Sequence, residues 1–188
     1  MLFGGGAYNP ANLFFGEVML SLCVYPHPAL LAPTQKITQF DAALQQLGAE
    51  MLTLMYKTKG VGLAAPQIGR SIRLIVIDLD PENPQPLLLV NPEIVEKSRE
   101  KEIDEEGCLS FPEIRARIPR AKQVNVAAQS VTGEKIEFTA DGLLARCLQH
   151  EVDHLENIFF VDRASVAAKL SLKPALVKLR ERAEAIKN

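Results

Sequence analysis

The sequence predicts an α+β fold in which antiparallel or mixed β-sheets pack around a central metal-binding helix, with an N-terminal helix and a C-terminal helix. Three observations support this class. A long segment in the first third has helical periodicity, the middle of the chain holds apolar runs bounded by turn residues, and two helical segments follow. Strands that are grouped between helices in this way are typical of α+β proteins.

The composition limits the classes of function. With 188 residues, of which 47% are hydrophobic and 23% charged, the chain resembles one globular domain, and we expect this domain to cover residues 19–188. The formal net charge of -2 and the pI of about 6.0 do not predict direct nucleic-acid binding. No apolar run approaches the roughly 18 to 20 residues that cross a bilayer, so no membrane partner is expected.

The N-terminal segment, residues 1–18, carries a single charged residue, Glu17. It has neither the basic start of a signal peptide nor the arginines of a transit peptide. We expect it to be either a flexible extension or an artefact of start-site choice, with Met19 as the true start.

The cysteine count indicates a reducing compartment. The chain has three cysteines, an odd and small number that does not fit a disulfide scaffold. We therefore expect a cytoplasmic protein, in which a thiol is free to act as a metal ligand or a nucleophile.

The first predicted helix covers TQFDAALQQLGAEMLTLMYKTKG. Its apolar residues recur at helical spacing; they are Phe40, Leu44, Leu47, Met51, Leu54 and Met55. Thr38 and Asp41 predict a capping box at its start, and Gly60 is expected to end it as the residue after the C-cap.

The central strands are predicted from apolar β-branched runs. Residues 72–79 form a buried strand, and PLLLVNPEIVEK continues as one or two more. The segment KQVNVAAQSVTGEKIEFTA is a hairpin that turns at Thr132 and Gly133. After the central helix we expect IFFVDR to be a strand and KPALVKLRERAEAIKN to be the last helix, with Pro174 in its first turn.

The central helix, predicted from about Asp141, contains His150, Glu151 and His154. Residues four apart on a helix lie on one face, so both imidazoles can reach one metal ion. Glu151 lies about 100° round the helix, where it can reach a metal-bound water instead. Leucines, Val152 and a cysteine surround these groups, and burying them without a partner would be costly, so a metal site is favoured over a plain polar helix.

A catalytic metal site usually has three protein ligands, so one ligand is missing from this helix. The candidates are Cys108, Cys147, Glu181 and Glu184. Cys147 is better explained as a small buried residue that lines the site. Cys108 lies in EEGCLS, where the preceding glycine allows close approach of the backbone.

A second glycine-rich stretch, GVGLAAPQIG, follows the first helix. It lacks the strand–loop–helix order and the following lysine of a phosphate-binding loop. Gln67 is its single amide. It could donate to a developing oxyanion, or it could face solvent in a structural turn, and the spacing favours neither alternative.

These three stretches, in this order, resemble the peptide deformylase family. Members carry a G-x-G-L-A-A-x-Q loop, an E-G-C-L-S strand and an H-E-x-x-H helix, which correspond here to residues 60–67, 106–110 and 150–154. The likeness extends from about Tyr25 to the C-terminal helix. It implies a metal-dependent hydrolase that removes the formyl group from the N-terminal methionine of newly made polypeptides and releases formate.

The resemblance also implies residue roles. The metal ligands would be Cys108, His150 and His154, and Glu151 would be the general base and acid. The metal would be Fe²⁺, with Zn²⁺, Ni²⁺ or Co²⁺ able to replace it. The Gln67 side chain and the Leu109 N–H would form the oxyanion hole. The residues that would hold or surround the peptide are Val61, Gly62, Arg115, Leu143, Arg146 and Cys147.

Two features near the motifs carry further expectations. Asn157 replaces a family glycine that ends the helix in the left-handed region, and asparagine is the next-best residue there. Asp153 is expected to orient a ligand or to pair with an arginine. The basic C-terminal helix is similar to helices that dock near the ribosomal exit tunnel, so the ribosome is a candidate partner.

Two alternatives remain from the residues. A zinc endopeptidase of the H-E-x-x-H kind would take its third ligand downstream, from Glu181 or Glu184. A catalytically silent relative would bind nascent chains or ribosomes and would tolerate the loss of Glu151.

Overall fold

The computed structural model describes residues 20–185, and the predictions for residues 1–18 and for a start at Met19 lie outside this part. Besides a short 3₁₀ helix, Ala65–Ile68, which follows the first strand, it contains five α-helices and seven strands. In chain order they are α1 (Pro28–Leu31), α2 (Ala42–Lys57), β1 (Gly62–Ala64), β2 (Leu74–Ile77), β3 (Leu87–Lys97), β4 (Lys101–Cys108), β5 (Phe111–Ala121), β6 (Gln123–Gln129), β7 (Lys135–Asp141), α3 (Gly142–Leu155), α4 (Phe160–Arg163) and α5 (Val166–Ala185).

The strands form two antiparallel sheets, which confirms the predicted α+β class. One sheet has five strands in the order β1-β2-β3-β6-β7, and the other is the hairpin of β4 and β5. Helix α3 packs an apolar side, which includes Ala145, Leu148 and Leu155, against buried residues of the five-stranded sheet. None of the helices in residues 20–185 is long and apolar enough to span a membrane.

Helix α2 is confirmed, but both of its predicted ends are wrong. The N-cap is Asp41, whose carboxylate accepts a hydrogen bond from the Leu44 N–H at 3.0 Å, and Thr38 is not the cap. At the other end the left-handed residue is Lys59, with φ of 56°, and Gly60 follows it. Asp41 takes the cap because its carboxylate accepts from the orphan N–H three residues on, which is the usual N-cap contact.

The central strands lie where they were predicted, but the first of them is shorter than predicted. Within residues 72–79, only Leu74–Ile77 form strand β2, and all four residues are buried. PLLLVNPEIVEK holds the single strand β3. The predicted hairpin is β6 and β7, and Gly133 in its turn has φ of 90°, which a residue without a β-carbon adopts at little cost.

The segment after α3 was predicted wrongly. IFFVDR is not a strand, because Phe160–Arg163 form the short helix α4, whose start is capped by Asp162 accepting from the Phe159 N–H at 2.9 Å. Helix α5 begins at Val166, so Pro174 lies in its interior and not in its first turn. The helix continues through this proline because its leucines pack on a second core cluster; they are Leu172, Leu176 and Leu179.

Asn157 ends helix α3 as expected, with φ of 56°. Its side-chain amide donates to the carbonyls of Leu30, at 3.1 Å, and Ala32, at 2.8 Å. The asparagine therefore does more than tolerate the left-handed conformation, because it also ties the end of α3 to α1.

Candidate active site

The centre of the candidate site lies where α3 meets the end of β4. His150 and His154, one turn apart on α3, have ring centroids 5.1 Å apart. Cys108 ends β4, and its Sγ lies 3.2 Å from His154 Nε2. One ligand atom from each of the three residues lies within 4.8 Å of the others. The fold thus brings together a thiol and two imidazoles that come from distant parts of the chain.

The structure brings one of the candidates for the third ligand next to the two histidines. Among residues 20–185, the group that could hold a metal ion consists of Cys108, His150 and His154, and neither Glu181 nor Glu184 belongs to it. The Cys147 thiol instead faces the carbonyl of Val61 at 3.7 Å. The endopeptidase hypothesis thereby loses its predicted downstream ligand and is not favoured.

The orientation of His150 is set by Glu106. Nδ1 of His150 lies 3.0 Å from Glu106 Oε2, and because a carboxylate accepts, this contact places the imidazole proton on Nδ1. Nε2 is then the nitrogen that faces the cluster. Burial lowers the pKa of His150, but hydrogen bonds to Cys108 and Glu106 raise it to about 10, so Nε2 must release a proton before it can bind a metal ion.

Glu106 in turn is held by a buried arginine. Arg120 donates through Nε and Nη2 to the two carboxylate oxygens of Glu106, each at 3.0 Å. Burial tends to raise the pKa of Glu106, yet the hydrogen bonds from His150 and Arg120 lower it to about 2. The carboxylate therefore stays charged beside the imidazole.

Arg120 also contacts helix α3. It donates to the Asp153 carboxylate, which accepts a second hydrogen bond from Arg163 Nη2 at 2.7 Å. The expectation that Asp153 pairs with an arginine is confirmed. Sequence reasoning missed Glu106 and Arg120 as supporting residues; their signal was a glutamate two residues before the cysteine and an arginine in the following charged strand.

Glu151 lies beside the histidines with its carboxylate buried, and its Oε2 finds no hydrogen-bond partner among the described residues. Burial raises its pKa to about 7. A β-carbon added at Gly62 would lie 2.5 Å from Glu151 Oε1 and 2.7 Å from the Cys147 sulfur. The backbone at Gly62 therefore approaches this carboxylate more closely than a residue with a side chain would allow.

The donor set fits a divalent metal ion. One thiol and two imidazoles form a nitrogen and sulfur set of the kind that binds Zn²⁺ or Fe²⁺. Burial lowers the pKa of His154 well below its usual value, so its ring is neutral, as a ligand must be. Nε2 of His154 faces Cys108, and its buried Nδ1 lacks a hydrogen-bond partner in the described part of the chain.

Gln67 is buried and does not face solvent, which excludes the solvent-facing alternative. Its Oε1 accepts from the Ala64 N–H at 2.8 Å, and this contact orients the amide. Its Nε2 consequently points to the site, 3.5 Å from Cys108 Sγ and 3.3 Å from Ser110 Oγ. Leu109 lies in the two-residue turn between β4 and β5. The two expected oxyanion donors thus flank the cysteine.

A cleft of about 510 Å³ opens onto this centre. The residues expected to contact the peptide all line it; they are Val61, Gly62, Arg115, Leu143, Arg146 and Cys147. Val61 and Leu143 lie at its mouth, 40% and 55% exposed. Arg146 differs from the simple wall residue that was expected, because its guanidinium donates to Glu106 at 2.6 Å and to the Ile118 carbonyl at 3.0 Å.

Comparisons with known proteins agree with this arrangement. A sequence model described as polypeptide deformylase matches residues 19–169. A peptide deformylase of Acidobacterium capsulatum is 45% identical over 161 residues, covering 85% of this chain and 94% of the relative. One from Thermotoga neapolitana is 43% identical, with coverages of 88% and 99%.

Solved structures point to the same family. A plant peptide deformylase superposes with a TM-score of 0.87 at 38% identity, covering 91% of this chain and 94% of the other. A peptide deformylase from Plasmodium falciparum gives 0.84 at 34% identity, with coverages of 88% and 98%. The fold, the described cluster and these likenesses lead to one conclusion. The chain belongs to the polypeptide deformylase family.

Proposed function

We propose that Cys108, His150 and His154 bind the catalytic metal and that Glu151 transfers the proton in the reaction of this chain. The reaction is the metal-dependent removal of the N-formyl group from nascent polypeptides, a step in protein biosynthesis. The observation that carries the residue roles is the approach of the Cys108 thiol to 3.2 Å from His154 Nε2, beside the buried carboxylate of Glu151.

A divalent metal in this ligand set supplies Lewis-acid activation of water and of the formyl carbonyl. We take Fe²⁺ as its identity in the cell, with Zn²⁺, Ni²⁺ or Co²⁺ as replacements, because a mixed nitrogen and thiolate set suits several of these ions. The network of Glu106 and Arg120 holds the His150 ring in the required orientation.

Glu151 acts as the general base and acid. Its carboxylate accepts a proton from the attacking water and later delivers it to the nitrogen of the departing amine. The buried site favours this role, because the pKa of about 7 lets the side chain both accept and release a proton near neutral pH.

The oxyanion that develops on the formyl oxygen is stabilised by the Gln67 amide and the Leu109 N–H. The Gln67 amide is preorganised, because its oxygen is already fixed by the Ala64 N–H. The methionine side chain enters the part of the cleft lined by Leu143 and Cys147, and the peptide backbone follows the strip of Val61 and Gly62 toward Arg115.

A formate-release assay on a formyl-methionyl peptide tests the assignment of Glu151. We expect Glu151→Gln to lower kcat by about 10²- to 10⁴-fold while the protein keeps its metal. The matched control is Glu137→Gln, an exposed glutamate on β7, which should keep full activity. A Glu151→Gln protein that turns over at the rate of the unaltered chain would reject this role, whereas no formate from either protein would support the silent-relative hypothesis.

The metal ligands are tested by elemental analysis after purification without oxygen. Cys108→Ser should lose most of the bound metal, whereas Cys147→Ser should retain it. The metal found in the unaltered chain identifies the physiological ion. Equal metal content in the two variants would contradict the role of Cys108.

We also propose that the chain works in the cytoplasm and meets its substrates at the ribosome through helix α5. The described cysteines are free, which suits a reducing compartment. The exposed side of α5 offers Lys169, Lys173 and Lys178. Reversing these three charges should abolish co-sedimentation with ribosomes at moderate salt. No co-sedimentation of the unaltered chain at low salt would reject the proposal.

A further inference from the structure

The charged side chains that line the cleft differ in whether they have a partner of opposite charge. Arg115 pairs with Glu105, with an N–O distance of 3.7 Å, and Arg146 is bound inside by Glu106. Glu113, on the same wall, pairs with Arg182 at 3.5 Å. Within residues 20–185, Lys59 is the remaining cation that lines the cleft and forms no ion pair.

The backbone of Lys59 is held firmly in place. It is the left-handed residue that closes α2, and its N–H donates to the Tyr56 carbonyl at 3.0 Å. The Gly60 N–H then donates to Met55 at 2.9 Å, a pattern that fixes the helix end. The backbone that carries the exposed ammonium group is therefore fixed. It lies two positions before Val61, which lines the cleft together with Gly62.

In the proposed function, the peptide chain leaves the site past Lys59. Its reacting end lies beside Glu151 and His150, and the cleft that continues from there is lined by the end of α2 and by the β4–β5 hairpin. Gly60, the residue after Lys59, packs against the Leu109 side chain, because a β-carbon there would come within 2.9 Å of it, so Lys59 lies close to the residue that carries an expected oxyanion donor. A side chain at the second or third substrate position consequently comes near Lys59.

We infer that Lys59 is a specificity-determining residue that favours substrates with an acidic side chain at the second or third position. This inference rests on the proposed function, since it concerns the peptide in the same cleft. An exposed ion pair is weak, so the preference for Glu over Gln in kcat/KM should be about two- to fivefold. Salt should reduce it, because the pair is solvent-exposed.

The test uses two series of formyl-methionyl peptides, with Glu, Gln or Lys at the second or at the third position, and measures formate release. The unaltered chain should prefer Glu over Gln over Lys in one of the series. Lys59→Gln should bring the Glu to Gln ratio to about one, Lys59→Glu should reverse it, and Lys59→Arg should restore it.

Lys57→Gln is the matched control, because Lys57 is an exposed lysine at the end of the same helix that does not line the cleft. It should keep the preference. Equal rates on all peptides, or a preference that survives in Lys59→Gln, would overturn the inference and leave the proposed function intact. No formate from any peptide would overturn both.

Discussion

Two arginine–glutamate pairs join β4 to β5, and they lie on opposite faces of this hairpin. Arg120 and Glu106 are buried, with side chains 4% and 5% exposed and an N–O distance of 3.0 Å. Arg115 and Glu105 are 69% and 61% exposed and 3.7 Å apart. The glutamates are neighbours in the sequence, so the alternation of a strand separates them. The same residue types support the metal site on one face and line the cleft mouth on the other.

The difference teaches that burial, and not residue type, decides what these pairs do. The exposed pair is screened by water and contributes little to folding. In the buried pair, each charge depends on the other, because neither can return to water without unfolding the hairpin. Four predictions test this comparison, from the largest expected effect to the smallest.

Removing one partner of the buried pair should have the largest effect on stability. Arg120→Ala leaves the carboxylates of Glu106 and Asp153 buried without this guanidinium, and the free energy of unfolding should fall by about 3–5 kcal/mol. Urea unfolding measures the change. Arg117→Ala, an exposed arginine on the same strand, is the control and should stay within about 0.5 kcal/mol. A loss below that limit for Arg120→Ala would contradict the assigned importance of burial.

Neutralising each neighbouring glutamate compares the two faces directly. Glu106→Gln keeps the size of the side chain but removes the charge that faces His150, and metal affinity should fall by about 10- to 100-fold. Competition with a chelator measures this affinity. Glu105→Gln should bind metal as tightly as the unaltered chain. Equal affinities for both variants would show that Glu106 does not support the metal ligand.

Asn157 is a half-buried polar residue, so its exposure is intermediate between those of the two arginine–glutamate pairs. Asn157→Ala removes both hydrogen bonds to the α1 region and puts at positive φ a residue that adopts this conformation less readily than asparagine, so the free energy of unfolding should fall by about 2 kcal/mol. Asn157→Gly loses the same hydrogen bonds but tolerates the backbone conformation, and it should lose less. Thermal or urea unfolding compares the two variants. A more stable Ala than Gly variant would contradict this explanation.

The exposed pair should respond least. Arg115→Ala should change the free energy of unfolding by less than about 0.5 kcal/mol. If Arg115 contacts the peptide, KM should rise a few fold with kcat nearly unchanged, because such a contact is equal in the ground and transition states. Unfolding and steady-state kinetics on one preparation separate these effects. A large loss of stability would place this pair with the buried one.

The sequence predicted the parts of the site that depend on local spacing. His150, Glu151 and His154 were found because four residues make about one helical turn, and the central strands because their apolar runs must be buried. The single glutamine in its loop marked Gln67 as a candidate. The left-handed end at Asn157 followed from the family resemblance, which places a helix-ending glycine at this position.

Other features depend on contacts between distant residues. Glu106 and Arg120 stand among other charges in strands that look solvent-exposed, and no local pattern indicates which of these charges is buried. IFFVDR has the composition of a strand, yet its aromatic residues pack on a separate core cluster as a helical turn. Pro174 was expected to start α5, but the packed leucines carry the helix through it. Tertiary packing overrode local preference in these cases.

The residues of the cluster lie far apart in the sequence, so they are not synthesised at the same time. Cys108 and His154 are in contact although they lie 46 positions apart in the sequence. Arg163, further along the chain, pairs with Asp153, the neighbour of His154. Because synthesis proceeds from the N-terminus, Gln67 and Cys108 leave the ribosome well before the helix that faces them. A ribosome-bound fragment that stops before His150 therefore carries the thiol and the amide but cannot assemble the centre. The complete set of donor atoms is therefore present only after α3 has been made.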